Sequence, residues 1–572
     1  MVSRQGVCFL LVMLLGVWWT TSAGAEVVVQ VDDEVIASKT GMGYNVGPYN
    51  TPWDGNLVTA NIVDDSAFED GPNTSENTAH RIFKGCSKGW HVDCWIDGFQ
   101  LAPSIDSTTS VSGTHSQRID IAAYSGEVRL ETWSGAGAPQ NHRHTLKAQL
   151  KRAANYSADV RFRVRTEKSG CIYSPYFSIT TDWSDYSWTW TPSTQDRIYD
   201  VALCFYGTGT VWVDDFIAWD ADNVSANGFP QTLVNRLKEV KSSMLRWGSL
   251  YVNPLTLSGS TFHPWGMEYG PPAKFGIPEF LDLCVDVGAD AMITVPPNFS
   301  DDAHRDLSYS QGLANYYQEH LDLLDYVGGD TTTTWGGVRA NQGLEPWDTR
   351  IQKIYFELGN EIWNSMSRPF NMGGSDYGDY CNRRSQAMRS HSTWKPNYRL
   401  GFGGHWASSN TQWGFDATVA AGCGQHIDFF TETVYYPWTP TYSGFTVADS
   451  DEIVYSALFA TPLERYNAIP LRQQAVKSAA GKALEMIIYE ANTEIHATNE
   501  WGWWREGQDP FFSKNHSIGA GTATLDLFAK IGSLGVKYYC WYQAVSKDIM
   551  GALISYPDFQ PRVDFLAHVL LN

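Results

Sequence analysis

Two glutamates far apart in the chain each close a short apolar run. Glu361 follows Tyr355-Phe356-Glu357-Leu358-Gly359-Asn360, and Glu490 follows Met486-Ile487-Ile488-Tyr489. Such runs read as buried strands, so each glutamate stands where a strand leaves the interior. Paired carboxylates in apolar surroundings suit cleavage of a glycosidic bond. That reaction needs a proton for a poor leaving oxygen, and a carboxylate that captures or stabilises the developing oxocarbenium ion. Partial burial and mutual repulsion push two carboxyl pKa values apart, so one stays protonated and the other ionised. A carboxyl spacing of about 5–5.5 Å would mark retention of configuration, and a wider gap inversion. The competing reading at either position is a buried structural glutamate, and Glu494 is the rival to Glu490.

The elements that must position these residues follow from periodicity. After Gly228 the chain alternates amphipathic helices with buried apolar strands at 243–247, 291–295, 354–358, 398–402, 427–431, 486–490 and 538–542. An eighth, Gly41-Met42-Gly43-Tyr44-Asn45-Val46, lies far upstream. This pattern calls for a parallel sheet covered by helices, and eight strands predict an α/β fold, a (β/α)8 TIM barrel with functional side chains at the C-terminal strand ends. Ile277 to Cys284, with Pro278 near its start and apolar residues at helical spacing, is one of the covering helices. From Asp65 to Asp220 the rhythm is instead short alternating strands such as 128–132, 159–164 and 211–216, separated by Gly, Ser, Asn and Asp turns. The domain plan is therefore a first barrel strand within 26–64, an inserted all-β sandwich at 65–220, and the rest of the barrel at 229–572. An open doubly wound sheet is the alternative, but no Gly-rich phosphate turn follows a first strand. On a regular strand Glu357 would share a face with Glu361 one layer deeper, which gives it a packing or supporting role.

Composition narrows the partners. Among 572 residues, Lys+Arg 41 against Asp+Glu 62 gives a net charge of -21, which disfavours nucleic acid and anionic membranes. Trp 24, Tyr 29 and Phe 26 supply flat faces of the kind that sugar rings stack on. Residues 1–25 open with Arg4, run apolar from Val7 to Trp19 and close on Ala23-Gly24-Ala25. That is the form of a secretory signal peptide, predicting a secreted, extracellular protein that starts at Glu26; a signal anchor is the alternative. In an oxidising setting Cys86 with Cys94 would close a short loop and Cys171 with Cys204 would staple two strands, one pairing among three. Cys381 and Cys423 could join two barrel loops, and Cys284 and Cys540 read as free and buried. No spacing argues for zinc, so no metal or cofactor is expected. Asp214 and Asp215 are the candidate pair for a structural calcium ion.

The segment Phe356-Glu357-Leu358-Gly359-Asn360-Glu361-Ile362-Trp363 resembles the acid/base motif of the family 51 glycoside hydrolases, the α-L-arabinofuranosidases, within the clan of retaining β/α-barrel glycosidases. Met244-Leu245-Arg246-Trp247-Gly248, Glu279 to Cys284 and Met292-Ile293-Thr294-Val295 resemble the family's second strand, next helix and third strand. The resemblance implies Glu361 as general acid/base, Glu490 as nucleophile, and Asn360 as partner of the sugar hydroxyl beside the reacting carbon. It implies that Arg246 helps keep the nucleophile ionised and that Tyr435 donates to it. Trp541 would be either the sugar platform or plain barrel packing. Trp363, Trp501, Trp503 and Trp504 are candidate cleft residues. At the sixth strand, Thr431-Glu432-Thr433-Val434-Tyr435 carries Thr433 where the family usually has histidine. The sandwich resembles carbohydrate-binding modules, notably at 209–216, and a packing domain is its bland alternative.

These readings predict a polysaccharide or oligosaccharide substrate, with oligomeric state open. An α-L-arabinofuranosidase leads; an endo-β-glycanase of the same clan and a catalytically silent carbohydrate-binding protein are the alternatives.

Overall fold

The computed structural model describes residues 40–46, most of 60–247, 277–295, 318–360, 374–403, 423–436, 449–493, 512–546, 551–554 and 559–571. All fall within one compact unit, Ser38–Asn572. The proposed export segment lies outside them. Among the described residues no helix is long and apolar enough to cross a membrane.

Eight parallel strands close into a barrel: β1 (Gly41–Asn45), β2 (Met244–Trp247), β3 (Asp290–Val295), β4 (Ile354–Leu358), β5 (Tyr398–Gly403), β6 (Phe429–Tyr436), β7 (Glu485–Thr493) and β8 (Tyr538–Trp541). Closure is by β1 against β8, with Gly43 opposite Cys540, and against β2, with Gly43 opposite Met244. Alternation along each strand sends one set of side chains inward and the other toward the helices. Met244, Met292, Tyr355, Phe429, Ile487, Tyr489, Tyr538 and Cys540 form a separate inner cluster, an apolar floor inside the barrel. Glycines make room for its bulk. A Cβ on Gly401 would stand 2.6 Å from the Phe429 ring, and one on Gly43 would stand 2.8 Å from the Cys540 Sγ.

The outward residues pack under helices α1 (Gln231–Glu239), α2 (Ile277–Val287), α3 (Gln318–Gly328), α4 (Thr334–Asn341), α5 (Gly374–Ser390), α6 (Asp451–Ala480), α7 (Ile518–Ser533) and α8 (Val563–Leu571). Ser450 and Ser517 start α6 and α7 by accepting backbone N–H groups at 3.4 and 3.2 Å, which satisfies donors a helix start leaves open. The strand positions match the sequence pattern to within a residue except at β6 and β7, the latter running on past residue 490 to Thr493. Strand β6 begins at Phe429 rather than residue 427 and runs on to Tyr436, so Thr433 and Tyr435 are strand residues.

Between β1 and β2 in sequence lies a two-sheet antiparallel sandwich. One sheet orders Gly170–Tyr173, Asp159–Thr166, Asp196–Phe205, Val128–Trp133, Trp90–Asp93 and Arg81–Ile82; the other orders Ser184–Trp190, His144–Arg152, Gly209–Asp220, Ser116–Ala123 and Gln100–Asp106. Alternate residues such as Val160, Phe162, Val164, Leu203 and Val211 fill its core.

The disulfides expected in the sandwich are absent: Cys86, Cys94, Cys171 and Cys204 are free thiols, while the side chain of Cys423, the expected partner of Cys381, lies outside the described residues. The proposed staple fails on topology, because the strand Asp159–Thr166 lies between the strands that carry Cys171 and Cys204. Cys284 and Cys540 are free and buried, as their apolar setting suggested.

Candidate active site

Above the apolar floor, the C-terminal halves of the strands converge on Arg246. This residue is inward on β2, two positions past Met244, and fully buried. Its Nε and Nη2 donate to Glu357 Oε2 on β4 at 3.0 and 2.7 Å. Its Nη1 donates to Glu490 Oε1 and to Asn45 Oδ1 on β1, each at 2.9 Å. Nη2 also reaches Asn360 Oδ1 at 2.6 Å. The guanidinium lies over the Tyr489 ring, 4.4 Å from its centroid. A single fixed cation thus ties β1, β2, β4 and β7 together in a water-excluded place, where such contacts are strong.

Glu490 reaches this centre through an irregularity in β7. Tyr489 is inward, so strict alternation would turn Glu490 out toward the helices with Ile488. In the pairing with β6, however, Glu432 faces Ile488 and Thr433 faces Glu490, which leaves Tyr489 as an extra residue. A bulge of this kind re-aims a side chain. Tyr489 and Glu490 therefore both point inward, and Ala491 returns to the outer core. On β6, regular alternation from Thr431 brings Thr433 and Tyr435 inward, and the Tyr435 hydroxyl donates to Glu490 Oε2 at 2.6 Å. Both oxygens of Glu490 are thus held. Burial raises its pKa above the ordinary carboxyl value, Arg246 and Tyr435 pull it back down, and Glu357 adds to the rise. The Arg246 guanidinium loses some basicity to burial, but Glu357 and Glu490 more than restore it.

Glu357 is fully buried below the mouth. Besides Arg246 it accepts hydroxyl donors from Thr294 on β3 at 3.1 Å and from Thr431 on β6 at 2.5 Å. β4 ends at Leu358, where its apolar run ends, and Gly359 takes a φ of 86°, a left-handed turn open to glycine. Asn360 follows this turn at the mouth, almost buried. With its carbonyl oxygen engaged by Arg246, its side-chain NH2 remains the group to offer a ligand. Glu361 lies outside the described residues, as do Glu494, Trp363, Trp501, Trp503 and Trp504.

Trp541 does not face the mouth. On β8 it alternates with the inward Tyr538 and Cys540, is fully buried, and packs edge-on against His568 of α8 with centroids 5.0 Å apart. Its packing alternative replaces the platform reading. Tyr542, one residue on and of the same parity as Cys540, is half-buried. Sequence inspection passed over Tyr542 and missed Asn45, whose side-chain NH2 donates to the Tyr489 and Trp541 carbonyls at 2.8 and 3.3 Å while its Oδ1 receives Arg246. Counting parity from Gly43 and Cys540 would have found both. Burial pushes the Cys540 thiol up to about 12, which keeps it neutral beside these carboxylates.

Residues 238–393 match the profile of the Alpha-L-arabinofuranosidase 1 domain. In this stretch the chain is arabinofuranosidase-like. The match spans β2 to α5 and so includes Arg246, Glu357, Asn360 and Glu361, but not Tyr435 or Glu490. Alpha-L-arabinofuranosidase 1 of Arabidopsis thaliana is 27% identical over 169 residues, 27% of this chain and 24% of the relative. A probable alpha-L-arabinofuranosidase A of Aspergillus terreus is 28% identical over 155 residues, 24% of each chain. The alignments thus span about a quarter of these relatives' length. Among solved structures, a GH51 arabinofuranosidase from Xanthomonas axonopodis pv. citri is 15% identical with a TM-score of 0.46, covering 60% of this chain and 66% of its own. The CBM22-1-GH10 modules of a Clostridium thermocellum endo-1,4-beta-D-xylanase are 10% identical with a TM-score of 0.35, covering 90% and 97%.

The sandwich carries a second polar cluster, on the outer side of its larger sheet. Arg163 pairs with Glu131 at 2.6 Å and Asp200 at 2.5 Å, and His91 meets Glu131 at 2.7 Å, all buried. Beside them Arg161 lies 3.7, 4.7 and 5.0 Å from the ring centroids of Tyr173, Tyr176 and Tyr206, and Tyr176 is 55% exposed. The calcium candidates are already occupied by donors. Asp214 accepts the backbone N–H groups of Val111 and Asp215 at 2.6 and 2.8 Å, and Asp215 accepts the Ser112 hydroxyl at 2.5 Å.

Proposed function

We propose that this protein is a secreted, retaining glycoside hydrolase that acts on polysaccharide as an α-L-arabinofuranosidase. The observation that carries the reading is Glu490: a buried carboxylate at the C-terminal end of a barrel strand, with one oxygen on Arg246 and the other on Tyr435. Two donors fixed on a carboxylate favour its ionised form against the rise that burial imposes and also aim it, which is what a nucleophile requires. In the first step Glu490 attacks the anomeric carbon while Glu361 gives its proton to the leaving oxygen, producing a glycosyl ester on Glu490. In the second, Glu361 takes a proton from water, the water oxygen attacks the same carbon, and Glu490 departs as carboxylate. Asn360, fixed by Arg246 through its carbonyl oxygen, offers N–H to the neighbouring sugar hydroxyl. The arabinofuranosidase profile over 238–393 supports the sugar assignment, and the signal-like residues 1–25 support export. In this reading the tyrosines around Arg161 on the sandwich meet the polymer and hold the enzyme near it.

The purified mature chain, tested on a polysaccharide panel, decides the specificity. Free arabinose from branched arabinan or arabinoxylan is the expected product. A fall in polymer viscosity with oligosaccharide products would instead mark the endo-β-glycanase alternative. Glu361→Gln and Glu490→Gln separate enzyme from binding protein: turnover should collapse while sugar binding survives. Unchanged turnover in Glu490→Gln would remove the nucleophile assignment.

A further inference from the structure

Glu357 is not needed by the two-step reaction, yet the barrel spends four donors on it. Its Oε2 accepts Arg246 Nε at 3.0 Å, Arg246 Nη2 at 2.7 Å and Thr294 Oγ1 at 3.1 Å, and its Oε1 accepts Thr431 Oγ1 at 2.5 Å. Four donors mark an ionised carboxylate. Two anions therefore share one guanidinium: Glu357 holds the Nε and Nη2 edge, and Glu490 holds Nη1. We propose that Glu357 is a positioning residue that clamps Arg246 and sets how much of the cation is offered to Glu490. The inference deepens the nucleophile reading of Glu490 and rests on it.

The geometry explains the arrangement. An arginine bound to Glu490 alone would be free to pivot about its stem, and it would neutralise the nucleophile most strongly. Clamped on its far edge by Glu357, it keeps one orientation, and the pair of carboxylates leaves the cluster one negative charge in excess. Among the described residues, the other groups facing Glu490 do not offset that excess. Tyr435 on β6 donates as a neutral phenol, and Cys540 on β8 is a neutral thiol. Asn45 on β1 and Asn360 after β4 are uncharged amides, and Tyr489 on β7 presents its ring to Arg246. On the β5 side Gly403 faces Glu357 with no side chain of its own; a Cβ there would lie 3.5 Å from Oε1.

The test is the pH–rate profile of Glu357→Gln. The amide is isosteric: its oxygen can keep the Arg246 contacts, and its NH2 can donate to Thr431, whose hydroxyl reverses role. Losing a like charge that shares one cation favours ionised Glu490, so the acid limb of kcat/KM moves to lower pH by about one unit, with KM little changed and kcat reduced. Thr431→Val is the second arm and keeps the side-chain shape. Deprived of one donor, Glu357 leans harder on Arg246 and draws it from Glu490, so the acid limb moves the other way, to higher pH. Opposite shifts are not expected of residues that only pack. An acid limb unmoved in a folded Glu357→Gln enzyme overturns the proposal. If that variant does not fold, an unmoved limb in Thr431→Val overturns it. Glu490→Gln assayed in parallel separates the two ideas: if it retains turnover, the nucleophile reading has failed, whereas its inactivity with unmoved limbs condemns only the clamp.

Discussion

Tyr435→Phe removes one oxygen atom and leaves the inward-facing ring on β6. The lost bond, 2.6 Å from the tyrosine hydroxyl to Glu490 Oε2, is made to a carboxylate in a buried site. Hydrogen bonds to charged groups contribute about 1.5–3 kcal/mol, and one pKa unit corresponds to about 1.4 kcal/mol, so the variant should shift Glu490 by about one to two units. The sign follows from which form the hydroxyl favours. It donates to the ionised carboxylate, so its loss favours the protonated form and moves the pKa further up, adding to the rise that burial already imposes. A nucleophile must be ionised, so the acid limb of kcat/KM should climb by about one to two pH units while the basic limb stays put. Measurement needs an arabinofuranoside with a chromogenic leaving group, followed from about pH 3 to 9, with circular dichroism to confirm folding. A Tyr435→Phe enzyme with the wild-type acid limb, or with one shifted downward, would refute the claim that this hydroxyl stabilises the working form of Glu490.

Trp541→Ala should destabilise the barrel by about 3–5 kcal/mol in denaturant unfolding, because it empties a packed site against His568, while KM of the folded fraction stays near wild type; a large KM rise without loss of stability would restore the platform role. Glu131 in the sandwich is raised by burial but more strongly lowered by His91 and Arg163, to about 2. Its folded pKa is thus depressed, so it stabilises above its unfolded value near 4.5 and loses that contribution as pH falls toward 2. Glu131→Gln should therefore lower the melting temperature at pH 7, with the difference shrinking below about pH 4.5; a constant difference across that window would contradict it. Tyr176→Ala, at an exposed ring beside Arg161, should weaken retention on insoluble polysaccharide and leave hydrolysis of a small soluble substrate unchanged.

Much of the barrel was legible because buried parallel strands write themselves as continuous apolar runs. Ile354–Leu358 is recovered residue for residue, and the early strand Gly41–Asn45 closes the barrel beside Tyr538–Trp541. Arg246, Tyr435 and Glu490, far apart in sequence, do meet. What escaped depends on phase. Whether a side chain faces the interior or the helices turns on a single residue, so the run Tyr538 to Tyr542 could not say that Trp541 is outward. The β7 bulge is invisible in Ile488-Tyr489-Glu490-Ala491, since nothing in those residue types marks the extra position. The role of Asn45 is set by strands that lie hundreds of residues away, and the cysteine pairing assumed strands to be neighbours that are separated by a third.

The central claim, that Glu490 forms the covalent bond to the sugar, is tested most directly by inactivating the enzyme with an arabinofuranosyl reagent whose glycosyl ester hydrolyses slowly, then locating the label by peptide mass spectrometry. The added mass should be found, one per chain, on the peptide that contains Glu490. A label on any other carboxylate, or loss of activity with no covalent adduct, would contradict the account.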